Sequence, residues 1–251
     1  MEEKNEKLEG GEVKIKLRLP EKLDNFWYHY KWHTIAALLG VFFLTVLILQ
    51  TCSRTPIDSY ILYAGPHEIK HTSNSGDMSA YTATVSALRR VTDDYDGDGS
   101  TNISLLNLFV VNSEEAKELI ADESGLEVNY TLVAEDTERL EQTLMFGEYY
   151  VCFLSERLFL ENEKETDGAL FAPLSPYTKD GAEYEYASER GIYLRSLPFG
   201  ALPYISDFPD DTVVCLRRLS EVSSHFGKKE NEELFRRGED TMLRILSYGI
   251  K

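Results

Sequence analysis

From Ile35 to Leu49 the chain reads IAALLGVFFLTVLIL, and no Asp, Glu, Lys or Arg falls between Lys31 and Arg54. A helix rises about 1.5 Å per residue, so roughly 20 residues cross a ~30 Å hydrocarbon core. Trp32 to Ser53 has that length. A helix buried in a soluble core keeps a polar stripe, and this run has only Thr45 at its middle. The pattern predicts a membrane helix. Phe26, Trp27, Tyr28, Tyr30 and Trp32 crowd just before it. Such rings favour the headgroup level, where Lys31 can snorkel.

Beyond residue 55 apolar strands alternate with helical spacing. Ser59–Ala64 is an apolar run closed by Gly65-Pro66, and Asp77–Val91 puts Tyr81, Val85, Leu88 and Val91 on one helical face. Asn102–Val111 reads as a strand. Asn112 with Glu115 fits an N-cap and capping box for a helix to Ala121. Val128–Val133 reads as a strand, Asp136–Met145 as a helix stopping near Gly147, Tyr149–Leu154 as a strand and Glu156–Leu160 as a short helix. A polar loop covers 161–190. Strands follow at Gly191–Ser196 and Thr212–Arg217, then a helix over Lys228–Ser247 with i,i+4 pairs Glu232–Arg236, Glu233–Arg237 and Asp240–Arg244. This alternation predicts an α/β domain with a mostly parallel or mixed sheet. At the other end, residues 1–12 are polar and predicted to be disordered. Val13–Leu19 alternates apolar and basic residues. It suits a strand added to a cytoplasmic partner, a contact with anionic lipid, or a solvated tail ending at Pro20.

Charge fixes the expected orientation. The twenty residues before Thr34 carry Lys14, Lys16, Arg18, Lys22 and Lys31, against Arg54 and Lys70 in the twenty after Gln50. The positive-inside bias places the N-terminus in the cytoplasm and 55–251 outside. The chain has 43 acidic and 26 basic residues, net −17, and all of that excess lies beyond the apolar run. A chain so acidic is no nucleic-acid binder. Three cysteines in 251 residues exclude a disulfide scaffold. The charged stretch before the apolar run is too long for a cleaved signal peptide. Thr51 before Cys52 departs from the small residue a lipobox wants, so an uncleaved signal anchor is expected.

Two motifs carry candidate chemistry. Asp94-Tyr95-Asp96-Gly97-Asp98-Gly99 fits the first six positions of an EF-hand-type calcium loop, with Asn102 at the ninth. Alternate aspartates supply the oxygens calcium takes at about 2.3–2.6 Å. Leu105 stands where the bidentate Glu belongs, and an acidic helix-to-strand turn favours the same residues. His67-Glu68-Ile69-Lys70-His71 matches H-E-x-x-H. On a helix it would hold zinc with two histidines while Glu68 acts as base. Pro66 before it and TSNSG after it leave little room for that helix; Asn74 replaces the Gly of the extended zinc motif, no third His stands at 77, and no Glu lies within the next twenty residues. Cys152 and Cys215 read as small buried hydrophobes, with pairing left open. Five tyrosines between 177 and 204 suit either a sugar-stacking surface or a tyrosine-rich loop. The sequons at Asn102 and Asn129 fall in expected strands.

The aromatic belt FWYHYKWHT, one membrane helix and an acidic α/β outer part resemble a group of uncharacterised single-pass envelope proteins of clostridial gut bacteria. LEQTLMFGEYYVCFLSERLF (140–159) is similar to the helix–Gly–strand–helix element of type 2 periplasmic solute-binding proteins, and FPDDTVVCLR (208–217) is similar to a late strand of such domains. The resemblance implies a ligand-binding α/β domain of two small lobes and carries over no ligand residue. The expected organisation is a disordered cytoplasmic tail (1–25), a belt and transmembrane helix (26–53) and an extracytoplasmic mixed-sheet domain (55–251). The expected function is a membrane-anchored binding or scaffold module without catalytic activity. Its expected partners are the membrane and an unknown extracytoplasmic ligand or envelope protein. Alternatives are a zinc metallopeptidase using His67, Glu68 and His71, and a structural subunit of a membrane assembly. The candidate metal ligands are Asp94, Asp96, Asp98 and Asn102, for calcium.

Overall fold

The computed structural model describes residues 19–52, 56–70, 79–122, 128–179, 181–220 and 227–250. The chain forms two compact units, Met1–Thr55 and Pro56–Lys251. In the first, α1 (Leu19–Cys52) is one continuous helix. Its 24-residue segment Phe26–Leu49 contains an 18-residue window of mean hydropathy 2.2 and is long and apolar enough to cross a membrane. Trp32, Leu38, Phe42, Phe43 and Leu47 are all exposed, as a membrane helix requires and a core helix would not tolerate. Of the expected disordered tail 1–25, residues 1–18, with most of the alternating Val13–Leu19 segment, lie outside the described residues, whereas 19–25 are not disordered but form the first turns of α1, with Pro20 at the helix start where its missing amide costs nothing.

In the second unit, six strands form one sheet in the order β2-β1-β3-β6-β5-β4. They are β1 (Ser59–Gly65), β2 (Ile103–Phe109), β3 (Val151–Ser155), β4 (Tyr186–Ser188), β5 (Gly191–Tyr193) and β6 (Thr212–Leu216). β1 pairs in parallel with β2 and β3, while β6 runs antiparallel to β3 and β5 to β6. The helices are α2 (Ala80–Leu88), α3 (Ser113–Asp122), α4 (Tyr130–Phe146), α5 (Glu156–Glu165) and α6 (Lys228–Ser247).

The central strands are apolar on both faces because both faces are covered. Ile61, Tyr63, Val151, Phe153, Val214 and Leu216 pack with Val85 and Leu88 of α2 and Met242, Ile245 and Leu246 of α6. Leu62, Ala64, Cys152, Leu154, Val213 and Cys215 pack with Leu140 and Leu144 of α4 and Leu158 and Phe159 of α5. Each buried Val, Leu, Ile, Phe or Met among them contributes roughly 1.5–3 kcal/mol of burial. Gly238 lets α6 lie close to the sheet, since a Cβ there would stand 2.8 Å from Cβ of Tyr150.

The start of α4 corrects the expected strand Val128–Val133. Asn129 Oδ1 accepts the amides of Thr131 (3.1 Å) and Leu132 (3.3 Å), so helix begins inside that run. Of Tyr130, Leu132 and Val133 only Val133 is buried. The apolar run therefore has no sheet to join, and the cap overrides its β-branched character. The other end of α4 rests on Arg217, which is fully buried. Its guanidinium donates to the carbonyls of Leu144 (3.3 Å), Gly147 and Tyr149 (3.1 Å) and lies over the Tyr150 ring. Burial pulls its pKa down; favourable contacts with carbonyl dipoles at a helix C-terminus offset that cost. The expected loop 161–190 yields the last turns of α5 and the short edge strand β4, and Leu194–Ser196, expected as strand, is a 3-10 turn.

Candidate functional site

The acidic loop joins α2 to β2 and is built on Asp58, the residue that precedes β1. Asp58 is fully buried. Its carboxylate accepts the amide of Tyr95 at 2.9 Å and that of Asn102 at 2.7 Å, which fixes both ends of the loop. Within the loop, Asp94 accepts the amides of Gly97 (2.7 Å) and Gly99 (2.8 Å) on its two oxygens. Gly97 and Gly99 have φ of 74° and 85°, the left-handed region that only glycine enters cheaply. Asp96 accepts the Asp98 amide at 2.9 Å, and Asp98 accepts the Ser100 amide at 2.7 Å.

One carboxylate oxygen each from Asp58, Asp94 and Asp96 lie within 4.8 Å of one another, the one such acidic group among the described residues. Of the four ligands expected from the sequence, the fold gathers Asp94 and Asp96 and adds Asp58. Asp98 faces Ser100 instead, and the Asn102 side chain donates through Nδ2 to Ser100 Oγ at 3.2 Å. A carboxylate has about four lone-pair positions, so the amides already bound leave room on these oxygens for a cation. The Gly99 amide, with the Gly97 amide behind it, holds Asp94 below the usual carboxylate range against the cost of desolvation. At Asp96 the Asp98 amide favours the charge, but desolvation and the Asp98 and Asp94 carboxyls outweigh it and push the group up. No local signal marks Asp58; only the pairing of Ser59 with Ile103 brings it to the loop.

The loop is also tied to α6. Tyr95 donates its hydroxyl to Asp240 at 2.6 Å and lies under the Arg237 guanidinium. Burial, then the Asp240 carboxylate, push its phenol well above its ordinary value. Arg244 bridges Asp93 (2.6 Å) and Asp240 (2.8 Å).

The H-E-x-x-H stretch does not place its first residues on a helix. Residues 67–70 have no regular structure, Glu68 is exposed, and His71 lies outside the described residues. The His67 amide donates to the Tyr63 hydroxyl at 3.2 Å. Three of the five tyrosines are tied inward: Tyr177 to Glu239, Tyr184 to the Leu246 carbonyl and Tyr193 to Glu156. Asn129 of the second sequon is the α4 cap.

At the opposite end of the sheet, the chain leaves β1 for α2 on one face and leaves β3 for α5 on the other. That divergence is the topological switch point at which open α/β sheets hold ligands. Ser155 and Thr212, register partners at this edge, are buried, and neither hydroxyl has a hydrogen-bond partner among the described residues. The sequence offered no sign of them. No family model, no curated protein and no solved structure matches this chain.

Proposed function

We propose that the chain is a membrane-anchored binding or scaffold module, with its N-terminus in the cytoplasm and its acidic α/β domain outside. The observation that carries this reading is the pairing of one exposed, apolar helical segment, free of charged residues after Lys31, with a separately packed domain. The positive-inside bias supplies the orientation. The domain acts by contact rather than by catalysis, and the carboxyl edge of β1 and β3, with Ser155 and Thr212 beneath it, is where a ligand meets it. On this reading the ligand sits at one sheet edge rather than between two lobes. Zinc content tests the reading against the peptidase alternative. The full chain purified in detergent carries only traces of zinc under the binding reading. About one equivalent, lost in His67→Ala, would support the peptidase. Co-purification of a second envelope protein that depends on α1 would instead favour a structural subunit.

A second reading concerns the acidic loop. Its D-x-D-x-D-G spacing motivates a weak calcium site, and Asp58 supplies a buried carboxylate in place of the missing twelfth ligand. Asp58, Asp94 and Asp96 would hold the ion, which would relieve the repulsion among them.

A further inference from the structure

Cys152 of β3 and Cys215 of β6 are register partners across an antiparallel pair. Opposed residues on such a pair point to the same face. Both thiols are free and fully buried, and Cys215 Sγ lies 3.7 Å from the Cys152 carbonyl. The phase of the ladder is fixed by its ends: the Arg217 backbone amide donates to the Tyr150 carbonyl and the Glu156 backbone amide to that of Asp211. Counting in twos, 152 and 215 form a hydrogen-bonded pair, with Cα atoms about 5.5 Å apart. Disulfides span about 4.4–6.8 Å between Cα atoms. The Cβ atoms of a hydrogen-bonded pair sit toward about 5.5 Å, beyond the usual disulfide separation, so the bond needs a local pinch of the two strands.

We propose that Cys152 and Cys215 are an oxidisable pair that closes a strained cross-strand disulfide when the domain folds in the presence of a disulfide donor. The proposal rests on the outer placement of the domain only for the donor's availability in the cell. One cysteine thiolate attacks the donor disulfide and releases one donor thiol. The second attacks the protein sulfur of the mixed disulfide and releases the other. The two cysteines lose two protons and two electrons, and the donor leaves as two thiols. Timing follows from burial, which raises the Cys215 thiol so that little thiolate exists in the folded state. The bond therefore closes before β6 settles on β3, and a reduced native domain reacts slowly. The strain makes the bond easier to reduce than a relaxed one.

The test refolds the full chain, in detergent, with oxidised and reduced glutathione, then denatures and alkylates it. Expected are a mass lower by two hydrogens, one alkylated cysteine (Cys52) and a melting temperature several degrees above that of the reduced chain. Cys52→Ser should keep the bond and Cys152→Ser should lose it. Three alkylated cysteines in the unmutated chain, or protection that vanishes in Cys52→Ser, would overturn the proposal. Chain trapped with acid directly from native membranes separates the two readings. Free thiols there, with a bond formed on refolding, would count against the outer placement and leave the pair standing.

Discussion

Asp58 and Asn102 are joined twice: the Asp58 amide donates to the Asn102 carbonyl at 2.8 Å, and the Asn102 amide donates to the Asp58 carboxylate at 2.7 Å. This closure holds the acidic loop at the amino-terminal edge of the sheet, with Tyr95 on the second oxygen. Asp58→Ala leaves two backbone amides without their charged acceptor. Hydrogen bonds to charged groups are worth about 1.5–3 kcal/mol each, so a loss of about 3 kcal/mol is expected in denaturant unfolding. Asp58→Asn keeps an acceptor and should lose about half as much. Equal, negligible losses in both variants would mean that the closure does not stabilise the fold.

Calcium separates two roles within the loop. Ten-fold excess over Kd stabilises a native-only site by about 1.4 kcal/mol, so the full chain in ~10 mM calcium should melt a few degrees higher than in chelator at matched ionic strength. Asp96→Ala should remove that difference and leave the chelated chain as stable or slightly more so, because neighbouring charge already disfavours its ionised form. Asp94→Ala should remove it and also destabilise the chelated chain, because Asp94 holds the Gly97 and Gly99 amides. Identical melting with and without calcium in the unmutated chain would reduce the motif to an acidic turn.

Arg217 is buried, has no carboxylate partner among the described residues and bonds three carbonyls at the end of α4. Arg217→Met removes a costly buried charge but orphans those carbonyls. The balance predicts a loss of about 2 kcal/mol, seen as a lower denaturant midpoint with an unchanged slope. A neutral or stabilising effect would show that desolvation of the guanidinium outweighs its bonds.

Asp211 sets a pH signature. Desolvation first, then the Glu115 and Glu156 carboxylates, raise its carboxyl above the ordinary value. A folded pKa above the unfolded one favours folding below the unfolded pKa. That contribution is lost as pH rises through the folded pKa. Asp211→Asn should therefore melt about a degree higher than the unmutated chain at pH 7, with the gain shrinking toward pH ~4. A gain that stays constant across that range would show that the charge is not its source.

Much of the fold was legible because its signals are local. α6 runs over Lys228–Ser247 as its periodicity predicted, and Asn112 and Glu115 form the reciprocal capping box, with both bonds at 2.8 Å. β1, β2, β3 and β6 lie within a few residues of their apolar runs. What failed was non-local or hinged on one side chain. Val128–Val133 has strand composition, yet the Asn129 cap and the lack of a strand partner turn it helical. β4 is too short and polar to show a period. Asp58 joins the acidic loop, and Ser155 and Thr212 meet at the opposite edge, only through strand register, which no single stretch of sequence encodes. The spacing of Asp94 and Asp96 was visible, while the turning of Asp98 toward Ser100 depends on loop geometry.

Topology is the central claim, and one pair of fusions tests it most directly. A reporter active only outside the cytoplasm, fused after Lys251, should be active, and the same reporter inserted after Asn25 should be silent. The apolar Phe26–Leu49 segment between the two sites is what separates them. The opposite pattern, or activity at both sites, would contradict the orientation and remove the acidic domain from the outer face.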